Sequence, residues 1–377
     1  MTKKLLIVIT NPDFFLSHRK EIALEAKSQG YEVHLCTMNK PSVAEIKSLG
    51  FIHHNWRIAR TGTNPLSEFL AILSLWRVFW TVRPDIVHLV TIKAVLYGGI
   101  LARLSPVKGV VTAISGLGFV FSSQKLKARI LRSVLKYFYA FALGHSNQKI
   151  IFQNPDDREL LYHVTGFDLT KVEMIRGSGV NLEKFTPKPE SEGDIVFTFA
   201  ARLLWDKGIG EFIDAANSLV GQDLPVRFLV VGEPDSLNPE SVKDEHIKRW
   251  AMQPRISFLG HKSAEEMPEI FAKSHVVVLP SYREGLPKVL LEAQASGRPV
   301  ITTDVPGCRD AIEEGKTGLL CPVRDASILA VQMRKLIEKP ELRREMGQNA
   351  RKLAEEVFGV EKVVEQHLNI YSKILLT

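Results

Sequence analysis

Val276-Val-Val-Leu279, followed closely by Ser281-Tyr-Arg-Glu-Gly-Leu-Pro-Lys-Val-Leu-Leu-Glu292, reads as a buried parallel strand, a tight turn and a helix. The four small apolar residues show no polar alternation, as expected of a strand covered on both faces. Pro287 falls where the first residue of a helix belongs, because its missing N–H costs nothing there. The turn holds Glu284 and Gly285. It brings the backbone N–H groups of Gly285 and Leu286 to a helix N-terminus, which suits an anion. Glu284 lies beside that anion site, and Glu292 lies about one and a half turns into the helix, leaning back toward its start. Two carboxylates thus flank one phosphate-sized site. A carboxylate beside a phosphate is repulsive unless it is there to hold hydroxyls. The combination points to a sugar carried on a diphosphate.

The same alternation extends in both directions. Strands are expected at Ile195 to Phe199, Arg227 to Val231, Ile256 to Leu259 and Val300 to Thr303, with helices between them. Ahead of them, Thr186-Pro-Lys-Pro-Glu-Ser-Glu-Gly193 is polar with Pro and Gly and reads as an interdomain linker. The first half repeats the pattern. Leu5 to Thr10 is a strand, Asn11 to Ser17 a loop, His18 to Lys27 a helix ending at Gly30, and Tyr31 to Thr37 a strand. Further strands fall at Ile86 to His88, Val110 to Thr112 and Ile150 to Gln153. This is an α/β chain of two doubly wound domains facing a cleft. The expected domains are 1–186 and 194–358, with 359–377 as a helix packing back on the first. Ligands of such sheets sit beyond the carboxyl ends of the strands. In the first domain those ends carry Asn11 to Arg19, His88 to Lys93 and Ser115-Gly-Leu-Gly118.

The 377 residues are too many for one ordinary core, and 45% apolar with 24% charged residues is the composition of a soluble globular protein. Cys36, Cys308 and Cys321 are far apart and show neither a pairing pattern nor a metal spacing, as expected of reduced cytosolic thiols. Met1-Thr-Lys-Lys before Leu5 to Ile9 is too short an apolar run for a signal peptide. The nearest candidate for a membrane span, Phe69 to Trp80, is short and carries Arg77. The net charge of +7 is uneven: residues 1–188 carry +12 and the rest −5. Residues 86–155 hold nine basic side chains and no acidic one. Such a field meets something anionic, whether a membrane surface, a lipid diphosphate or nucleic acid. On an expected helix from about Leu126 to Leu143, Lys125, Arg129, Arg132 and Lys136 recur at helical spacing beside aromatic and aliphatic residues. That pattern suits contact with an anionic membrane, against the plainer reading of a solvated basic face. Asp156-Asp157, just after Asn154-Pro155, serves a helix start better than a metal.

Ala200-Ala-Arg-Leu-Leu-Trp-Asp-Lys-Gly208 follows the second domain's first strand, so Arg202 and Lys207 lie in a strand-to-helix loop. Arg offers a planar fork and Lys a point charge, both suited to phosphate oxygens. With Glu284, Gly285 and Glu292 they would meet at one edge of one sheet. On these residues the chain resembles the retaining glycosyltransferases of family-4 type. Ala201-Arg202 with Lys207-Gly208 is similar to that family's phosphate-binding loop, and Glu284 and Glu292 to its paired glutamates. Gly179 to Phe185 and Asp304-Val-Pro-Gly307 resemble neighbouring family segments. Phe15-Leu-Ser-His-Arg19 and Ser115 to Phe119 resemble a bacterial branch that builds surface polysaccharides and often extends undecaprenyl-diphosphate-linked sugars.

The resemblance implies a GT-B fold of two Rossmann-like domains and a nucleotide-diphosphate sugar donor, a UDP-sugar such as UDP-N-acetylhexosamine. It implies transfer with retention to a lipid-diphosphate-linked sugar, with no metal and no other cofactor. Arg202 and Lys207 would hold the diphosphate, Glu292 the ribose, and Glu284 with Gly285 and Leu286 the donor sugar and phosphate. The catalytic set would be Glu284, Arg202 and Lys207. Many family members place a histidine where this chain has Ser115. Acceptor contacts would then come from Ser17, His18, Arg19, Lys93, Ser115, Gly116 and Gly118, while His88 suits a buried, hydrogen-bonded histidine. The expected location is cytoplasmic, peripheral at the inner face of the cell membrane. A GT-B nucleotide-sugar epimerase is the nearest alternative. A dehydrogenase is disfavoured because Asn11-Pro-Asp-Phe-Phe-Leu-Ser17 lacks the glycine fingerprint. Nucleic-acid binding is disfavoured because no binding motif accompanies the charge.

Overall fold

The computed structural model describes residues 2–58, 64–117, 126–222 and 224–376, with the side chains of residues 126–132 and 134 excepted. The chain divides into two units, Met1–Ser178 with Glu361–Thr377, and Gly179–Val360. Each has its own apolar core.

The first unit is built on β1 (Lys4–Ile9), β2 (Glu32–Thr37), β3 (Ile52–Asn55), β4 (Ile86–Val90), β5 (Gly109–Ile114), β6 (Gln148–Phe152) and β7 (Val172–Met174). They form one sheet in the order β3-β2-β1-β4-β5-β6-β7, and every pairing is parallel. The chain winds outward from β1 to β3, then returns to β4, so the order reverses between β1 and β4. In β4 and β5 every residue is buried, which explains the unbroken apolar runs. Helices Pro65–Val82 and Ile92–Arg103 contribute Leu75, Val78, Phe79, Val95 and Leu101 to the core beside Leu6, Val87 and Val110.

The helix Val360–Leu376 joins this unit. The Tyr371 hydroxyl lies 2.6 Å from His88 Nδ1, and Asn147 Nδ2 donates to the Ile374 carbonyl at 2.8 Å. Leu368, Ile370 and Ile374 are buried beside them. Burying each such side chain is worth about 2 kcal/mol, against about 1 kcal/mol net for a hydrogen bond. Packing is therefore what holds the helix, and the hydrogen bonds set its register.

Asn11 to Ser17, expected as a loop, is helical: Pro12–His18 forms a helix of its own before Lys20–Ser28. Asn11 accepts from the Asp13 N–H and Pro12 sits in the first turn, which is an ordinary helix start.

The second unit carries β8 (Ile195–Ala200), β9 (Val226–Val231), β10 (Ile256–Gly260), β11 (Val276–Leu279), β12 (Val300–Thr303) and β13 (Gly318–Cys321). They pair in parallel in the order β10-β9-β8-β11-β12-β13, reversing between β8 and β11. Phe197, Phe199, Phe212 and Phe228 pack together at its centre.

The change of unit falls between Ser178 and Gly179, ahead of the expected linker at 186–193. That segment is part of the second unit. Arg298, buried, donates to the Lys188 carbonyl at 2.8 Å, and Arg343, also buried, grips the Glu190 carboxylate with bonds of 2.8 and 2.9 Å. A stretch that reads as loose from its Pro and Glu content is a strap that satisfies two buried guanidiniums.

Candidate active site

At the carboxyl ends of β8 and β11 three loops lock together. After β8 the chain makes a short turn, Trp205–Lys207. The Asp206 carbonyl accepts from the Tyr282 N–H at 2.9 Å and from the Ser281 hydroxyl at 3.1 Å. Gly208 has φ +75°, and a Cβ there would stand 2.1 Å from the Pro280 carbonyl oxygen. The third loop follows β12: the Pro306 carbonyl accepts from the Glu284 N–H at 3.3 Å. A Cβ on Gly307, at φ +79°, would stand 2.5 Å from the carbonyl oxygens of both Glu284 and Gly285. The loop bearing Lys207 and the turn bearing Glu284 are thus held rigidly against each other.

Lys207 Nζ lies 2.6 Å from Glu284 Oε1, and both side chains are only 16% exposed. Arg202, half-exposed, reaches Asp235 Oδ2 at 2.7 Å, in the loop after β9. Arg202 and Lys207 thus lie in the one loop after β8, Lys207 against Glu284 and Arg202 against Asp235, where the strand order reverses, the position at which open α/β sheets take ligands. Gly285 and Leu286 follow at the start of the helix Lys288–Ala295, both buried. Pro287 is the extended cap of that helix rather than its first residue, one position off the expected start. Glu292 lies on the same helix with Oε1 3.3 Å from Lys288 Nζ. Burial pushes its carboxyl up, and Lys288 opposes that shift. Burial, and then the charge of Glu284, push the Cys308 thiol up to about 12, so it stays protonated and does not act as a nucleophile.

The first unit has its own reversal, between β1 and β4. Thr10 and Thr91 hydroxyls approach to 3.4 Å there, and Thr91 has φ +79°. A β-branched residue in that conformation stores roughly 1–3 kcal/mol of strain, a mark of a constrained site. His18 stacks on Phe14 at 3.9 Å, with its Nδ1 2.6 Å from the Ser17 hydroxyl. Ser115 is half-buried and Gly116 has φ +120°.

Two of the expected acceptor contacts are engaged elsewhere. Arg19 turns into the core and is 2% exposed, donating to the His18 carbonyl at 2.8 Å. Burial lowers its guanidinium to about 10. It supports the segment before it rather than presenting itself to a ligand. Lys93 is held by Glu68 at 2.6 Å, and the Tyr97 hydroxyl donates to the other Glu68 oxygen at 2.6 Å. His88 is fully buried, and burial, then His367 and Arg19, hold its imidazole well below the usual range. Gly118 and Lys125 lie outside the described residues, as do the side chains of Arg129 and Arg132. Lys136 sits over the Tyr137 ring at 4.8 Å.

Asp235, Gly307, Glu68 and Tyr97 are additional residues of these two sites. Asp235 follows Gly232-Glu-Pro at a strand end, and Glu68 is an isolated acid in an apolar helix; both are signals visible in the sequence. Among the described residues no group of three or more His, Cys, Asp or Glu is arranged to hold a metal ion.

Residues 4–154 match the glycosyl transferase 4-like family model, and residues 181–353 match that of glycosyl transferases group 1. An N,N'-diacetylbacillosaminyl-diphospho-undecaprenol alpha-1,3-N-acetylgalactosaminyltransferase of Campylobacter jejuni is 26% identical, over 96% of this chain and 98% of its own. A UDP-Gal:alpha-D-GlcNAc-diphosphoundecaprenol alpha-1,3-galactosyltransferase of Escherichia coli is 28% identical, over 81% of this chain and 80% of its own. The structure of sucrose-phosphate synthase from Thermosynechococcus elongatus superposes with a TM-score of 0.80 at 17% identity, over 99% of both chains. That likeness is one of fold, the GT-B arrangement of two Rossmann-like domains. The chain belongs to the glycosyltransferases, with a 4-like domain in its first half and a group 1 domain in its second.

Proposed function

We propose that the chain transfers a sugar, with retention of anomeric configuration, from a UDP-sugar to a sugar carried on a membrane lipid diphosphate, as a step in surface glycan synthesis. The observation that carries this reading is Lys207 against Glu284, with Arg202 in the same loop, at the reversal of the second sheet. Two cations suit a diphosphate, and a carboxylate among them suits the hydroxyls of the sugar it carries. The names of the Campylobacter and Escherichia relatives support an undecaprenyl-diphosphate-linked acceptor, and the latter supports UDP. A UDP-N-acetylhexosamine is the favoured donor.

In the proposed reaction the bond between the sugar's anomeric carbon and the β-phosphate oxygen breaks, and the acceptor hydroxyl bonds to that carbon on the same face. The hydroxyl proton passes to the departing phosphate oxygen. Charge builds on the leaving diphosphate, where Lys207 and Arg202 stabilise it. Glu284 orients the sugar, with the Gly285 and Leu286 N–H groups at the phosphate, and Glu292 takes the ribose. With two side-chain cations in place, the proposed chemistry uses no metal or other cofactor. Ser17, His18, Ser115 and Gly116 receive the acceptor, and Lys93 does so when released from Glu68. The enzyme works as a peripheral protein at the inner face of the membrane.

The test is UDP release from a panel of UDP-sugars, with and without a detergent-dispersed lipid-diphosphate sugar. Release that requires the acceptor is expected. Conversion of the UDP-sugar to its epimer without acceptor would replace this reading by that of an epimerase.

A further inference from the structure

Among the described residues, Pro65–Val82 is the one helix whose length and composition would allow a membrane crossing. It does not cross one as folded here, because Ala71, Leu75, Val78, Phe79 and Val82 are buried in the first unit. Its opposite face is also apolar. Leu66 is 68% exposed, Phe69 56%, Leu70 47%, Leu73 46% and Trp80 45%. At 100° per residue these five and Arg77 fall in one stripe about 100° wide, directly opposite the buried one. The acid of this helix, Glu68, is on the inner side, holding Lys93 and Tyr97. A helix that is apolar on both faces yet packed on only one leaves a surface that water solvates poorly.

What surrounds the stripe is basic. A groove of about 610 Å³ runs beside it, lined by Leu70, Leu73, Ser74, Arg57, Arg77 and His53 among others, with no acidic side chain. Neither Arg57 nor Arg77 has a carboxylate partner among the described residues. Both are exposed, as is Arg83 at the helix end. We infer that this face lies flat on an anionic lipid bilayer. Leu66, Phe69, Leu70 and Leu73 enter the acyl boundary, Trp80 sits at the interface, and Arg57 and Arg77 take lipid phosphates. A second copy of the chain fits less well, because a two-fold contact through this stripe would bring the Arg77 side chains of both copies together. The inference deepens the proposed function, from which it takes the membrane, and it adds this helix to the contact expected of the basic stripe at Lys125 to Lys136.

The test is flotation of the full chain with vesicles of phosphatidylglycerol and phosphatidylethanolamine, compared with phosphatidylcholine alone. The parent protein should bind the anionic vesicles, and Leu70→Asp with Leu73→Asp should lower binding at least about tenfold. Arg57→Glu with Arg77→Glu should do the same on anionic vesicles only. Transfer to a water-soluble acceptor should be unchanged in both pairs, which also shows that they fold. In the unsubstituted protein, brominated lipids should quench a component of the fluorescence that Trp80→Phe removes. Flotation of the Leu70→Asp, Leu73→Asp protein like its parent, or quenching that Trp80→Phe does not change, would overturn the inference. A parent dimer that these substitutions dissociate, with no vesicle binding, would assign the face to a second copy instead. Flotation without any sugar transfer would leave this surface standing and sink the proposed reaction.

Discussion

Lys207 and Glu284 meet at 2.6 Å, each brought to the edge of the second sheet by a different strand end and each largely withdrawn from water. The contact is local in neither sequence nor element. It exists because Gly208 lets one loop pass against the Pro280 carbonyl and Gly307 lets another close over the Glu284 backbone. The pair pre-orients the ammonium, and a diphosphate entering the site would take the place of Glu284 as its partner.

Removing either member should therefore cost turnover more than stability. Lys207→Ala is expected to lower kcat/KM by about 10²- to 10³-fold, the usual cost of losing one stabilising donor. Glu284→Gln, which keeps the shape and removes the charge, should lower kcat similarly. Thermal unfolding should show a loss of roughly 1–3 kcal/mol for Lys207→Ala, because it strands a partly buried carboxylate, and less for Glu284→Gln. Near-normal rates in either variant would remove that residue from the reaction.

The glycines offer a comparison inside one unit. Gly208→Ala must place a Cβ against a carbonyl oxygen at 2.1 Å, whereas Gly315, at φ +76°, has nothing within 4 Å. Gly315→Ala should cost about 1 kcal/mol, for the left-handed backbone alone. Gly208→Ala should cost at least about 2 kcal/mol more and displace the Lys207 loop. Urea midpoints of the two variants, with equal slopes, measure the difference.

Stability of the first unit should fall in acid. His88 and His367 are buried, and burial with the nearby Arg19 lowers both, His367 to about 3. In the unfolded chain both titrate near 6.5, so as pH falls the unfolded state takes up protons first. The full contribution is present above about pH 6.5 and is lost progressively as pH drops toward the folded values. His367 should account for roughly 2 kcal/mol at pH 5, and His88 adds to the loss in the same direction. Urea denaturation at pH 7 and 5 reads this loss, and His367→Phe should flatten it; an unchanged slope would show that the two rings are not held neutral by their surroundings.

Lys93 and Glu68 should divide acceptor binding from packing. If Lys93 meets the acceptor phosphate, Lys93→Met should raise KM for the lipid-linked acceptor about tenfold, the loss of one charge-assisted contact, with the donor KM unchanged. A fall in melting temperature with both KM values intact would mean that Lys93 serves only to anchor the helix Pro65–Val82.

Much of this was legible in the chain. Apolar runs such as Val276 to Leu279 report a parallel sheet because both of its faces are covered. Arg202, Lys207 and Glu284 could be grouped because sheets of this kind bring their strand ends to one edge. The expectations missed where local composition was overruled by distant partners. The 186–193 strap looks like a linker until Arg298 and Arg343 are seen to grip it. Arg19 looks like a surface cation until it turns beneath the loop beside His88 and His367. Lys93 looks free until Glu68, 25 residues earlier on another helix, is seen to hold it. Short edge strands such as Val172–Met174 carry too few residues to show a period.

The most direct test of the central claim is to follow the sugar itself. The purified chain would be incubated with UDP-N-acetylhexosamines labelled at the anomeric carbon and an undecaprenyl-diphosphate-linked sugar, and the lipid product examined by carbon NMR. The account predicts label in the lipid fraction, joined through an α-glycosidic bond that keeps the donor's configuration, and lost with Lys207→Ala. A β-linked product would contradict retention. Label that never leaves the nucleotide, with this donor or any other UDP-sugar, would contradict the account as a whole.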